Sequence, residues 1–359
     1  MKKVFIIGLS MLITSSTAIA QGCVIVRNIS GFAHYNFNDK AFSMSEWIVD
    51  VNSRYFRSFR DFKGTEDQKT PEADRSINNV FTFDMTATRI LKNGWSLSFN
   101  LPITANDRST TIEHAGAGKP RHSTQSFGIG DTRFSVYKWL IKPAVRQKVN
   151  VQFGLGLKFP TGNYKYEDYF YRKEDSLVLA PVNPSIQLGD GGTGIFTELN
   201  TYCILDFRYS LYANFYYLIN PREVNGTSSL LGRVPTVTQI KSTSNVNSVP
   251  DQYTMRAGIN GSFNKIIVSA GIRAEGIPVY DLFGGSHGNR RAGYNISFEP
   301  GVIYNFKKTS VLVFVPFMVK RETLQSVPDK ITTDLTGNYT LTQGGFADFL
   351  VFVGVSFKI

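Results

Sequence analysis

Few residues in this 359-residue chain could do chemistry, and their spacing points away from catalysis. The four histidines are His34, His114, His122 and His287, and none stands in a metal-binding spacing such as H-E-x-x-H. His114 and His122 share one long polar stretch, where two imidazoles could hold a metal but solvated side chains are several times commoner. Ser286 and His287 are adjacent, and adjacency does not by itself aim a hydroxyl at its base. The run Ala115-Gly116-Ala117-Gly118-Lys119-Pro120 looks like a phosphate loop but lacks the first Gly at the required spacing and the following Ser/Thr. Gly189-Asp190-Gly191-Gly192 reads as a turn opening a strand. An enzyme is not expected, and no cofactor or metal site is indicated.

The charges with a recognisable arrangement lie on alternating stretches. Residues 148 to 159 set Val149, Val151, Phe153, Leu155, Leu157 and Phe159 against Lys148, Asn150, Gln152, Gly154, Gly156 and Lys158, a period of two that a helix would scatter. Residues 46 to 60 place Trp47, Val49, Val51 and Tyr55 opposite Asp50, Asn52, Arg54 and Ser58. Residues 79 to 91 place Phe81, Phe83 and Met85 opposite Thr82, Asp84 and Thr86. The same pattern extends over 95 to 104, 127 to 139, 194 to 205, 208 to 219, 252 to 263, 266 to 276, 292 to 306, 309 to 319 and 346 to 359. The last of these alternates Phe349, Val351, Val353, Val355, Phe357 and Ile359 with a mixed set ending Gly354, Ser356 and Lys358.

Twelve strands of this length predict an all-β protein, a transmembrane antiparallel up-and-down β-barrel. The links alternate in length: tight turns at 92 to 94, 206 to 207, 264 to 265 and 307 to 308, and a somewhat longer link at 140 to 147. Long polar stretches separate them at 61 to 78, 105 to 126, 160 to 193, 220 to 251, 277 to 291 and 320 to 345. Short turns are expected on the periplasmic side and long loops on the extracellular side. A soluble sandwich also alternates but rarely segregates its loop lengths so consistently.

With the polar rows turned inward, the expected lumen-lining charges are Asp50, Arg54, Asp84, Arg133, Lys158, Glu198, Arg256, Arg273, Glu275 and Glu299. Both signs are present, so paired ladders are expected. Such ladders can stiffen and block a barrel or line a path for solute.

Lys2 and Lys3 precede an apolar run from Val4 to Ile13, and Ala18-Ile19-Ala20 supplies a small-x-small site. Residues 1–20 are therefore expected to be a signal peptide cleaved near Ala20. Residues 21–45 are expected to form an N-terminal periplasmic or lumen-plug segment, and residues 46–359 the transmembrane barrel. No later stretch approaches the roughly 20 uninterrupted apolar residues of a membrane helix. The mean hydropathy of -0.12 suits a barrel that hides its apolar surface in alternation. Phe 28, Tyr 17 and Gly 31 are high, and charged residues make up 19%.

The formal charge of +11 falls to +9 without Lys2 and Lys3. For an exported chain this suggests anionic lipid headgroups, lipopolysaccharide or a positively biased lumen rather than nucleic acid. Cys23 and Cys203 could form a disulfide after export, although Cys203 falls on an outward row and spacing alone leaves the question open. The expected location is the outer membrane and the expected state a monomer. Lipid, a small-molecule solute and the barrel-insertion machinery are the expected partners.

Several segments together resemble the family of outer-membrane proteins named after the meta-pathway of phenol degradation, particularly its Bacteroidota members. They are Arg54 to Gly64, Gly128-Ile129-Gly130-Asp131-Thr132-Arg133, Gly156 to Gly162, Gly189 to Gly194, and Asp281 to Pro300 with Arg290-Arg291-Ala292-Gly293-Tyr294 inside it. Asp61 stands where His is expected, Asn289 where Gly-Phe is usual and Ala292 where Pro is usual. The resemblance implies an exported barrel that passes small molecules, hydrophobic or aromatic ones among them. The alternative is a non-transporting structural or surface-binding barrel with a side-chain-filled lumen.

Overall fold

The computed structural model describes residues 47–141, 148–173 and 176–359. The segments 1–20 and 21–45, with Cys23 and His34, lie outside the described residues, so the possible Cys23 to Cys203 pairing does too. Cys203 faces Leu211 and Val149 across its two seams, in the outward row.

Twelve strands form the wall: β1 (Trp47–Ser58), β2 (Ile77–Ile90), β3 (Trp95–Thr110), β4 in two segments (His122–Ile129 and Arg133–Trp139), β5 (Val149–Lys158) and β6 (Gly194–Ile204). They continue as β7 (Tyr209–Ile219), β8 (Gln252–Phe263), β9 (Ile266–Ile277), β10 (Gly293–Asn305), β11 in two segments (Thr309–Phe314 and Phe317–Thr323) and β12 (Phe349–Lys358). All pairings within the wall are antiparallel and consecutive strands are neighbours. The ring closes where β12 pairs with β1, from Ile48 opposite Lys358 to Arg57 opposite Phe349. Trp47 and Ile359 complete that seam with reciprocal backbone hydrogen bonds of 2.9 and 3.2 Å.

Why these stretches become strands is visible in β5. Val149, Phe153, Leu155 and Leu157 are exposed, while Asn150, Gly154, Gly156 and Lys158 are buried. A closed ring of such strands satisfies every backbone group at the wall and presents an apolar exterior, which suits the hydrocarbon layer. The turn between β2 and β3 carries Asn93 and Gly94 at φ 60° and 76°, the left-handed pair that matches strand twist.

Two prolines mark interruptions. Pro102 of β3 has no N–H to donate, and opposite it β4 inserts an extra residue: Ile103 faces Ile129 and Asn100 faces Arg133, so two residues oppose three. The excursion buries Asp131. Pro316 likewise separates the two segments of β11, whose outer segment pairs with β10 alone.

The long links carry structure of their own. Residues 167–173 and 176–181 form a hairpin, residues 224–228 pair with 246–248, and two helices follow, α1 (Val237–Lys241) and α2 (Val327–Thr336). Helix α2 starts on a Ser326/Asp329 capping box and ends at Gly337 with φ 70°.

Candidate functional site

The site is built where strand charges meet loop segments that fold inward. On β8, β9 and β10 the register sets Arg256 opposite Arg273 and Arg273 opposite Ser297, bringing two arginines and two glutamates together. Arg256 Nε donates to Glu299 Oε1 at 2.7 Å, and Arg273 Nη2 donates to Glu275 Oε2 at 2.7 Å. Arg273 Nη1 also lies 3.6 Å from Glu299 Oε2. The two guanidinium groups lie over aromatic faces, Arg256 on Phe314 at 5.4 Å and Arg273 on Phe352 at 5.2 Å. Tyr212, Ile303, Leu312 and Leu350 are buried on this side. This wall is therefore filled, with its charges matched.

On the opposite side Arg54 Nη2 donates to Thr82 Oγ1 at 3.1 Å, and Tyr137 OH donates to Glu198 Oε2 at 2.9 Å. The Arg133 guanidinium lies 5.6 Å from the Tyr216 ring centroid. Lys158 pairs with Asp190 and lies 3.9 Å from Asp131. Of the ten charges assigned to the polar rows, Asp50, Arg54, Lys158, Glu198, Arg256, Arg273, Glu275 and Glu299 are buried, and Asp84 and Arg133 half-buried.

Between β5 and β6 the long link turns inward. Val182 and Ile186 are fully buried and Leu188 nearly so. Asn106 Nδ2 and Ser126 Oγ donate to Ile186 O, and Ser185 Oγ donates to Asn78 Oδ1 at 3.2 Å. A buried pair anchors the segment: Arg108 forks onto Glu113 at 2.7 and 2.9 Å, and Glu113 Oε1 also accepts from Asn183 Nδ2 at 2.7 Å.

A second fork closes the link between β9 and β10 on itself. Arg290 Nη1 and Nη2 donate to Asp281 Oδ1 and Oδ2 at 2.8 and 2.6 Å, with both side chains buried. Asp281 Oδ1 then accepts from the Asp251 amide at 2.9 Å.

Beside these pieces lies a partly open cavity of about 200 Å³. Its charged lining is Arg54, Arg133, Lys158, Arg290 and Arg291 against Asp131 and Asp190, with Phe56, Val80, Leu218 and Ile277 on its apolar side. Asp190, Arg290 and Arg291 escaped the strand-by-strand assignment because they sit in links, outside any two-residue alternation; Asp131 lies within the expected strand 127 to 139, two residues before Arg133, and was not named among its charges. Their signal was the set of motif segments: each of the five that carry the family resemblance supplies a residue to this cavity.

The other candidate groups do structural work. Ser286 Oγ accepts from the Asp281 amide at 2.9 Å and His287 Nδ1 meets Glu223 Oε1 at 2.5 Å, so the two side chains do not act on each other. In the glycine-rich run the Gly118 amide donates to Asp74 Oδ1 at 2.9 Å. That carboxylate stays below its usual range through this bond and one from Thr111. His114 is buried rather than solvated, and His122 stacks on Tyr171 at 3.8 Å. Burial lowers the His114 imidazole to about 4. Among the described residues, no group of three or more His, Cys, Asp or Glu side chains is arranged to hold a metal.

No family model and no curated protein matches the sequence. Among solved structures the chain is similar to an outer-membrane channel from Pseudomonas putida F1, at 11% identity and a TM-score of 0.58, over 90% of this chain and 98% of that one. It also aligns with the Pseudomonas putida toluene transporter TodX, at 8% identity and a TM-score of 0.44 over 89% and 90% of the two chains. CymD, a monoaromatic hydrocarbon channel, aligns at 8% identity and 0.40 over 88% and 90%. The first of these likenesses is one of fold: the chain has the closed twelve-stranded architecture of an outer-membrane channel barrel.

Proposed function

We propose that this chain is an outer-membrane channel for passive or gated passage of small molecules. The observation that carries the reading is a cavity of mixed polarity inside a closed barrel whose exterior is apolar. In this reading the charges from Asp50 and Arg54 to Glu299 line the solute path and keep it polar. The inward segment around Ile186 narrows the path from the long-loop side. Residues 1–20 export the chain, residues 21–45 lie at the periplasmic mouth or in the lumen, and residues 46–359 span the membrane as a monomer. The barrel is set in lipid and lipopolysaccharide after delivery by insertion machinery. The segments meeting at the cavity favour the meta-pathway family as its relatives, and hydrophobic or aromatic compounds as solutes.

Reconstitution tests the reading. Purified protein in planar bilayers is expected to give discrete conductance steps, and proteoliposomes are expected to admit small solutes faster than protein-free vesicles. Silent bilayers together with unchanged solute entry would overturn it. A second reading, a structural barrel with a filled lumen, draws on the matched ion network and apolar cluster along β8 to β12. It predicts that silent result.

A further inference from the structure

The positive excess of the chain is not spread evenly over the barrel. The short links and the strand ends beside them, residues 86–98, 136–152, 203–212, 260–269 and 302–312, hold ten Lys and Arg against a single acid, Asp206. On the long-loop side the two signs are interleaved, and pairs such as Arg60 with Asp348 and Arg290 with Asp281 match them. At the short turns they are unmatched: among the described residues Lys92, Lys265, Lys307 and Lys308 are exposed and form no ion pair. Asp206 accepts from the Arg208 and Tyr209 amides at 2.7 and 2.8 Å and so closes its own turn. Backbone hydrogen bonds set neighbouring turns side by side, the Asn305 amide donating to Lys265 O at 2.7 Å and the Lys358 amide to Lys308 O at 2.8 Å. Like charges gathered in this way repel one another unless a counter-charge covers them.

The aromatic side chains fix the depth of this rim. All three tryptophans of the chain, Trp47, Trp95 and Trp139, stand at the short-turn ends of their strands. Trp47 and Trp95 are 43% and 45% exposed, and Tyr304 and Phe306 stand 4.7 Å apart beside the Lys307 turn. Outward tryptophan and tyrosine settle at the level of the lipid headgroups. The Arg89 guanidinium lies 5.2 Å from the Trp47 ring centroid, and Lys138 Nζ lies 4.8 Å from that of Trp95. The cations of the rim therefore stand at headgroup depth, where the counter-charge on offer is phosphate.

We propose that the short-turn rim is a docking surface for anionic phospholipids of the periplasmic leaflet, with headgroup phosphates seated among Arg89, Lys92, Lys307 and Lys308 and acyl chains against the outward aromatics. A zwitterionic headgroup brings its own cation, which these side chains repel, so the rim selects headgroups of net negative charge. Each Lys or Arg at a membrane surface strengthens that attraction about fivefold. The selection does not depend on whether the barrel conducts.

Tryptophan quenching tests it. The full-length barrel is reconstituted in vesicles of phosphatidylglycerol and phosphatidylethanolamine in equal amounts, with one lipid or the other brominated, since bromine quenches an indole that it touches. Trp139 is buried, so the quenching reads Trp47 and Trp95 at the rim. At low salt brominated phosphatidylglycerol is expected to be enriched there at least about fivefold over brominated phosphatidylethanolamine. The enrichment should fall toward parity at about 1 M salt, where the screening length is roughly 3 Å. Combined Lys92→Gln, Lys307→Gln and Lys308→Gln is expected to lower it below half of the native value, and combined Lys63→Gln and Lys119→Gln on the long-loop side to leave it unchanged. All five lysines are exposed, and heat-modifiable migration on gels verifies that each variant has closed. Equal quenching by the two lipids in the native chain would overturn the proposal whatever the variants do. Undiminished enrichment in the triple variant would overturn the turn lysines as its seat, an equal loss from the long-loop variant would overturn the side, and enrichment that survives high salt would overturn its electrostatic origin. Displacement of the brominated lipid by an equal amount of lipopolysaccharide would overturn the choice of partner. A barrel that enriches phosphatidylglycerol but fails to conduct would sink the channel reading and leave this surface standing; conduction without enrichment would do the reverse.

Discussion

The His114 imidazole accepts a hydrogen bond from the Tyr171 amide at 3.1 Å through Nδ1, which requires a neutral ring with its proton on Nε2. With the loop opened, the imidazole takes a proton below its ordinary 6.5, whereas in the folded loop it does so only near 4. Between those values the opened form binds more protons, so the loop loses stability as the pH falls from about 6.5 toward 4. The full loss approaches roughly 3 kcal/mol. Hydrogen exchange at residues 167–173, corrected for intrinsic rates, is expected to speed up over that window in the native chain and not in His114→Gln. Equal protection at pH 7 and 4.5 would refute the assignment. A second expectation concerns Gly156. Phe196 lies opposite it, and a Cβ added there would sit 2.2 Å from the ring. The absent side chain lets the ring lie flat on the wall. Gly156→Ala is expected to cost about 1–3 kcal/mol in unfolding free energy, with the ring turned into the lumen and conductance reduced. Phe196→Leu in the same chain should recover most of both.

At the scale of elements, all twelve strands were legible from alternation, because a two-residue period with one apolar face has few other solutions. The places where it failed are physical exceptions to that period. β4 starts at His122, earlier than its apolar pattern, because its outer segment pairs with a part of β3 that extends to Thr110 beyond the apolar belt. The inward segment was hidden in what reads as a polar loop, although Val178, Ala180, Val182, Ile186 and Leu188 already alternate there. Val178 and Ala180 belong to the 176–181 strand of the loop hairpin and pack with Phe170 and Leu231, whereas Val182 and Ile186, beyond that strand, are buried in one cluster with Phe56 and Val80 of the wall. Glu113→Gln should release this segment, since it leaves Arg108 buried without its full counter-charge, a loss of about 3–5 kcal/mol for a buried pair. Increased conductance with an unchanged thermal midpoint for the barrel wall is the expected result, and unaltered conductance would place the segment away from the path. For β12, inserting one residue after Val353 would turn Phe357 inward and Ser356 toward lipid. Loss of the protein from the membrane fraction is expected, and normal membrane levels would refute the register.

For the molecule as a whole, strand parity was legible in the sequence and the cavity was not. Arg54 and Lys158 announce their side of the wall by parity. The position of Arg291 depends on how the loops after β5, β7 and β9 close over one another, and no local period encodes that. The seam between β1 and β12 has a different consequence. Every other seam joins strands that follow each other along the chain, whereas the contact of Phe59 with Asp348 next to this one spans 289 residues. Bringing such distant segments together carries the largest loop-closure entropy in the fold, and few local contacts reward it in advance. Closure is therefore expected to be the slow step of assembly, and before it β1 and β12 would each expose a row of unpaired backbone groups capable of templating another chain. The seam sets a kinetic demand: whatever inserts this barrel must shield two strand edges for the time it takes them to find each other.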